Sequence, residues 1–297
     1  METALEGWFG VLFAICLGLS VGSFGNVLIY RLPIEGLSTT RPARSFCPKC
    51  NTQLSWFDNL PLIAWISLRG RCRSCQSKIP WRYPAVELLV GLLFALYWWL
   101  DPALDGEGAL RMLVTWYLVT TCVVISAIDL EHFIIPDAVT LPGIAVGLGL
   151  SVAFPILQAE HFPFDLEAPR QTAMLASVGG ILMGGGSLWL FGQLGNLMLR
   201  KKIEAAGVQD AMGLGDVKWM AFAGAFLGPL VVADAILVGC FLGAIAGIVL
   251  QSLARLRGAD APPGIPFGPY LSVGILAELV QPGLAWELMQ SLSLAAA

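Results

Sequence analysis

Long apolar runs, separated by polar stretches, dominate the chain. The first extends from about Trp8 to Tyr30, enough for the roughly 20 apolar residues that cross a bilayer as a helix. A polar stretch from Arg31 to Arg82 follows, then apolar blocks at about Tyr83–Leu100, Arg111–Ile128, Ala138–Leu157 and Thr172–Leu199. The block Val217–Leu253 is too long for one crossing and carries Gly228, Pro229 and Asp234 in its middle. It predicts two helices joined there by a tight turn. A last block runs from about Phe267 to Leu288. The expected fold class is an all-α polytopic membrane protein of about eight transmembrane helices. The first block is too long for a signal-peptide core and follows acidic Glu2 and Glu6 rather than a basic segment, so it is expected to be retained as a helix.

Composition agrees. Of the 297 residues, 57% are hydrophobic and 13% charged, about half the roughly 25% charged content of an average soluble domain. Too few polar groups remain to cover a water-soluble enzyme, and disordered chains are poor in apolar residues. The net charge of -4 says little about partners, and no nucleic-acid partner is expected. The placement of charge says more. Of 17 Lys and Arg residues, nine lie at 31–82, four are Arg200, Lys201, Lys202 and Lys218, and two are Arg255 and Arg257. Alternate loops hold only Arg111 and Arg170, beside acids such as Asp101, Glu160, Asp165 and Glu167. The positive-inside rule then puts the 31–82 loop in the cytoplasm and both termini outside.

Of the seven cysteines, Cys16, Cys122 and Cys240 lie inside apolar blocks and are expected to be small buried hydrophobes. The other four form Cys47-Pro-Lys-Cys50 and Cys72-Arg-Ser-Cys75. Two such knuckles offer four thiolates, as a closed structural zinc site requires. A disulfide pair is the alternative, weakened by the reducing compartment the topology assigns. Between the pairs, Trp56, Phe57, Leu60, Ile63, Trp65 and Ile66 suggest a small folded unit against the membrane surface, or packing alone.

Acids at the ends of membrane helices are functional candidates. One pattern is Asp129-Leu-Glu-His-Phe-Ile-Ile-Pro-Asp137, at the junction of the third and fourth helices; another is Met212-Gly-Leu-Gly-Asp216-Val-Lys218, where the sixth begins. Both fall at the cytoplasmic face. A pair of carboxyl groups there could activate water and protonate a leaving amine, which is peptide hydrolysis without a metal. From the residues alone, Glu131 and Asp137 compete with Asp129, and each Asp could instead cap a helix. Glu87 could hold a charged amine or cap an interface.

Taken together, the chain resembles the bacterial type IV prepilin peptidases, polytopic aspartic proteases of the Gly-x-Gly-Asp class. The resemblance runs from Gly22-Ser-Phe-Gly-Asn-Val-Leu-Ile-Tyr-Arg-Leu-Pro33 through the cysteine quartet and Arg82-Tyr-Pro-Ala-Val-Glu-Leu-Leu89. It continues through Asp129–Asp137 and Gly213–Lys218 to Ile265-Pro-Phe-Gly-Pro-Tyr270. Gly25 departs from it, where relatives often carry a larger apolar residue. It implies a bacterial inner-membrane enzyme with catalytic Asp129 and Asp216, cutting the basic leader from prepilins and type II secretion pseudopilins at the cytoplasmic face. It also implies N-methylation of the new N-terminal residue, usually Phe, with S-adenosylmethionine as donor and zinc on Cys47, Cys50, Cys72 and Cys75. The corresponding division is a first transmembrane helix at 1–30, a cytoplasmic zinc-binding, methyltransferase-associated loop at 31–83 and a peptidase domain at 84–297. Membrane lipid and the pilin substrates are the expected partners. The alternative is a transporter or channel subunit with a zinc-ribbon regulatory loop, which would need Asp234 and Glu278 on an ion path.

Overall fold

The structure, a computed structural model, describes residues 2–34, 36–42, 44–102, 105–159, 169–205, 210–257, 264–284 and 286–287. Glu160, Asp165 and Glu167 and the end of the last apolar block lie outside them. So do the side chains of Lys201 and Lys202. Among the described residues the chain is helical and holds no β-strand, only two isolated bridges. Its helices are α1 (Glu2–Arg31), α2 (Ile63–Ser67), α3 (Arg82–Leu100), α4 (Gly106–His132), α5 (Asp137–Ala153) and α6 (Ile156–Ala159). They continue with α7 (Pro169–Ile181), α8 (Ser187–Ala205), α9 (Leu214–Leu256) and α10 (Gly268–Val280). A π-helical turn, Leu182–Gly186, joins α7 to α8. Among the described residues, five segments are long and apolar enough to cross a membrane: Gly7–Arg31, Arg82–Leu100, Gly106–His132, Pro169–Met198 and Leu214–Leu256. Helices α5 and α10 are apolar but shorter.

The chain divides into two compact units, residues 1–128 and 129–297. In the first, α1 and α3 run antiparallel, because Gly10 faces Trp98, Gly18 faces Gly91 and Gly22 faces Glu87. A Cβ on Gly18 would sit 2.8 Å from the Gly91 Cα, so the backbones meet where side chains are absent. The rings of Phe94 on α3 and Trp116 on α4 stack at 4.7 Å, and the Trp116 indole N–H donates to the Phe94 carbonyl. Phe9, Leu12 and Phe13 of α1 stay exposed on an apolar face suited to lipid.

In the second unit, the long apolar block is broken where the sequence predicts. Gly228 has φ 76°, a left-handed conformation that favours glycine, and Pro229 brings no amide hydrogen. The chain reverses there. A Cβ on Gly184 would meet both the Met220 carbonyl carbon at 2.7 Å and Val232 Cγ2 at 3.1 Å. Those residues are twelve apart, and a straight helix would separate them by about 18 Å. The break frees two carbonyls, and buried side chains take them up. The Ala225 oxygen accepts from Ser151, Ser177 and Gln158, and the Phe226 oxygen from Gln158 at 3.0 Å. On the first arm of α9, Gly180 of α7 lies against Gly224. On the second, α10 packs antiparallel, with Gly274 against Ala235 and Leu271 against Gly239.

Some boundaries differ from the apolar pattern. Helix α4 continues past the apolar block to His132, so Asp129 lies inside its last turn rather than in a junction. Helix α10 stops at Val280, because Pro282 cannot donate to a helix and Gly283 turns at φ 83° while giving its amide to Glu278. Cys122 is buried as expected, but Cys16 and Cys240 are exposed, on outward apolar helix faces.

Adding a methyl at Gly180 would drive it into the Gly224 carbonyl, whereas at Gly186 it meets open space. Gly180→Ala is therefore expected to lower the thermal unfolding midpoint of detergent-solubilised protein by several degrees, and Gly186→Ala to leave it unchanged or slightly raised. Equal shifts in both would show that close approach does not limit stability.

Candidate active site and metal centre

The two cysteine knuckles are local copies of each other. In the first, the Cys47 amide donates to Thr52 and the Asn51 amide to Cys47; in the second, the Cys72 amide donates to Ser77 and the Gln76 amide to Cys72. Asn51 and Gln76, each just after the second cysteine, take positive φ values of 55° and 57°. This tight turn aims both sulfurs of each knuckle to one side. The four Sγ atoms lie within 4.8 Å of one another, with Cys47 and Cys75 at 3.9 Å. Tetrahedral coordination with metal–sulfur bonds of about 2.3 Å places sulfurs about 3.8 Å apart, so the set fits a metal of that kind. The Ser77 hydroxyl, 3.1 Å from Cys75, and then the Ser77 amide hold the Cys75 thiol down at about 6, which favours the thiolate a metal needs.

The rest of the loop is anchored from both sides. Arg31, buried at the end of α1, donates to the carbonyls of Ser38, Thr39 and Arg44 and lies over the Phe46 ring. Asp58 binds Arg73 at 2.8 Å, and Trp65 donates to the Ile79 carbonyl. Trp56, Ile63 and Ile66 remain exposed, so packing alone does not account for the loop's apolar content.

In the second unit, Asp129 and Asp216 come together closely enough for the charge of one to act on the other. Asp129 is buried in the last turn of α4, where the Gly268 amide donates to its Oδ2 at 2.8 Å. Asp216 sits in the first turn of α9, whose start is set by Gly213 as N-cap. Gly215 lies against Ile135, where a Cβ would come within 3.0 Å of the Ile135 Cβ. That approach holds the 129–137 segment on the start of α9. Asp137 clamps the same contact from outside, accepting two bonds from the Lys218 ammonium at 2.7 and 2.9 Å. Glu131 faces exposed His132 at 3.9 Å. Of the three acids that competed for one role, only Asp129 is thus buried beside Asp216, while Asp137 is a clamp and Glu131 is partly exposed.

Gly268 is the partner that residue spacing missed. A signal was present: Pro269 marks the first turn of a helix, where backbone amides lack helical acceptors and favour an anion. Glu87 meets a backbone group, the Leu62 amide, at 2.8 Å. Glu278, needed by the transporter alternative, accepts from Gly283 near the end of α10 away from Gly268.

Two family models match the chain, the bacterial peptidase A24 N-terminal domain over residues 16–100 and the type IV leader peptidase family over residues 116–248. The chain belongs to the type IV leader peptidase family. A prepilin leader peptidase/N-methyltransferase of Myxococcus xanthus is 35% identical over 295 residues, covering 95% of this chain and 77% of that relative. Proteins of the same name from Stutzerimonas stutzeri and Pseudomonas aeruginosa are 35% and 34% identical. They cover 89% of this chain each, and 88% and 87% of their own lengths. No solved structure matches. The family gives the helical architecture, the cysteine cluster and the paired acids one context, a multi-pass membrane enzyme.

Cys72→Ser is expected to reduce bound metal in the purified protein to a small fraction of the wild-type content, measured by elemental analysis. Unchanged metal would rule out the quartet as its site.

Proposed function

We propose that this chain removes the basic leader from type IV prepilins and type II secretion pseudopilins and then N-methylates the residue so exposed, with Asp129 and Asp216 as the catalytic pair. The observation that carries the peptidase half is that both carboxyl groups lie in one unit within range of each other's charge, with the Gly268 amide fixing Asp129. In the proposed mechanism one carboxyl is ionised and the other protonated. The ionised group takes a proton from water as the oxygen attacks the scissile carbonyl. The protonated group donates to the carbonyl oxygen, and the proton then passes to the leaving amine. The Gly268 amide holds one oxygen of Asp129, which leaves the other to face the reacting water.

Cys47, Cys50, Cys72 and Cys75 would hold zinc. Four protein sulfurs leave no open position for water, so the ion would supply a structural tie between the two knuckles. S-adenosylmethionine is the methyl donor in this reading, and residues 31–83 serve methylation while 84–297 carry the peptidase. The enzyme lies in the bacterial inner membrane. The basic residues of the loop set it in the cytoplasm with the active site, and leave both termini periplasmic. Exposed Trp56, Ile63, Ile66 and Trp81 suit a loop resting at the lipid headgroups. A prepilin would enter laterally with its apolar helix in the bilayer and its leader in the cytoplasm.

Asp129→Asn and Asp216→Asn are each expected to lower prepilin cleavage in membranes about a thousandfold. Gly268→Ala puts a methyl 2.8 Å from the Asp129 Oδ2 and is expected to lower it about tenfold, while Gly264→Ala, in open space, has no effect. Wild-type cleavage by either Asn variant, read by mass spectrometry of a co-expressed prepilin, would overturn the assignment.

A further inference from the structure

Methyl transfer needs a place for the amine that receives the methyl group, and the seam between α1 and α3 has the chemistry for one. Glu87 on α3 is about nine-tenths buried. Its Oε2 accepts the Leu62 amide at 2.8 Å, and the Ser23 hydroxyl of α1 lies beside the same carboxylate. Among the described residues no lysine or arginine pairs with it. A carboxylate taken this far out of water ordinarily has a cationic partner. One turn closer to the loop, Asn26 on α1 is 3% exposed. Its Nδ2 donates to the Tyr83 carbonyl at 3.0 Å, and its Oδ1 has no partner. The amide cannot be turned over, because that would set two oxygens against each other.

These groups belong together. Asn26 is three residues beyond Ser23, Tyr83 is one turn before Glu87, and Gly22 brings the two backbones into contact at Glu87. A carboxylate held by neutral donors alone and an orphaned carbonyl, both on one seam, form an acceptor set with no cation among the described residues. That set rejects anions and suits a compact cation with several N–H donors, which is an ammonium. Leu62 lies between the two cysteine pairs, so Glu87 also ties the cysteine-bearing loop to this seam.

We propose that Glu87 and Asn26 bind the α-ammonium of the pilin's newly exposed N-terminal residue for methylation, an assignment that rests on the methyltransferase reading above. Glu87 takes one proton from the ammonium. The freed nitrogen lone pair forms a bond to the methyl carbon of the sulfonium donor as the carbon–sulfur bond breaks with its electrons to sulfur. The donor leaves as a neutral thioether, the product is an N-methylammonium, and the proton passes from Glu87 to water.

The test uses the full chain in lipid nanodiscs and a synthetic apolar peptide beginning with Phe, with its N-terminus either free or acetylated. Wild type is expected to bind the free amine about tenfold more tightly than the acetylated form. Glu87→Gln keeps an acceptor for the Leu62 amide and loses only the charge. It is expected to shrink the preference to within about twofold, with bound metal unchanged, and to give co-expressed pilin that is cleaved but unmethylated. Asn26→Ala is expected to reduce the preference about threefold and carries the same test should the Gln variant fail to accumulate. A tenfold preference retained in either variant overturns the site. A preference lost in the variants beside a wild type that never methylates pilin would uphold the amine site and overturn the methyltransferase reading.

Discussion

Lipid tails are as apolar as leucine, so helices in a membrane associate through close packing and internal hydrogen bonds rather than by escaping their solvent. The second unit depends on that constraint. Gly180 meets Gly224, Gly184 meets the turn of α9 around Met220, and Gly274 meets Ala235, each at a distance no Cβ would permit. These contacts hold α7 and α10 against the two arms of α9. The start of α9 carries Asp216, and the start of α10 presents the Gly268 amide to Asp129. Glycine positions along the helices thus bring the starts of α9 and α10, which carry Asp216 and the Gly268 amide, into one packed unit.

The same surroundings penalise unmet polar groups, each of which costs several kcal/mol in a hydrocarbon setting. The chain reversal at Gly228–Pro229 would be expensive without Gln158, which is fully buried and spends its amide on the carbonyls the break frees. The same rule governs buried Arg31, whose guanidinium is spent on three loop carbonyls. It also makes Asn26 and Glu87 notable. Among the described residues the Asn26 carbonyl has no partner and the Glu87 carboxylate has neutral donors but no cation, and both stand at the foot of the cysteine-bearing loop.

The loop solves a different problem. A segment of about fifty residues whose described part holds no helix longer than one turn and a half cannot build a core of its own at low cost. Two matching knuckles, an Asp58–Arg73 bond and the Arg31 anchor replace that core. A metal at the four sulfurs would complete this logic, because it would fix both knuckles at one point.

The sequence by itself determined what depends on local pattern. Apolar run lengths gave the helical membrane fold and the break near Gly228, and paired Cys-x-x-Cys spacing gave the sulfur cluster, because helix formation and tight turns are decided within a few residues. Resemblance to a family selected Asp129 among three nearby acids. Tertiary structure decided what depends on contacts between distant segments. It turned Asp137 into a clamp on Lys218, 81 positions away, and supplied Gly268 to Asp129 across 139 positions. It also gave Glu87 a backbone partner in the loop and left the Asn26 carbonyl without one. Hydrogen bonds of that range leave no periodic trace in a chain, since they are set by how helices pack and not by the residues beside them.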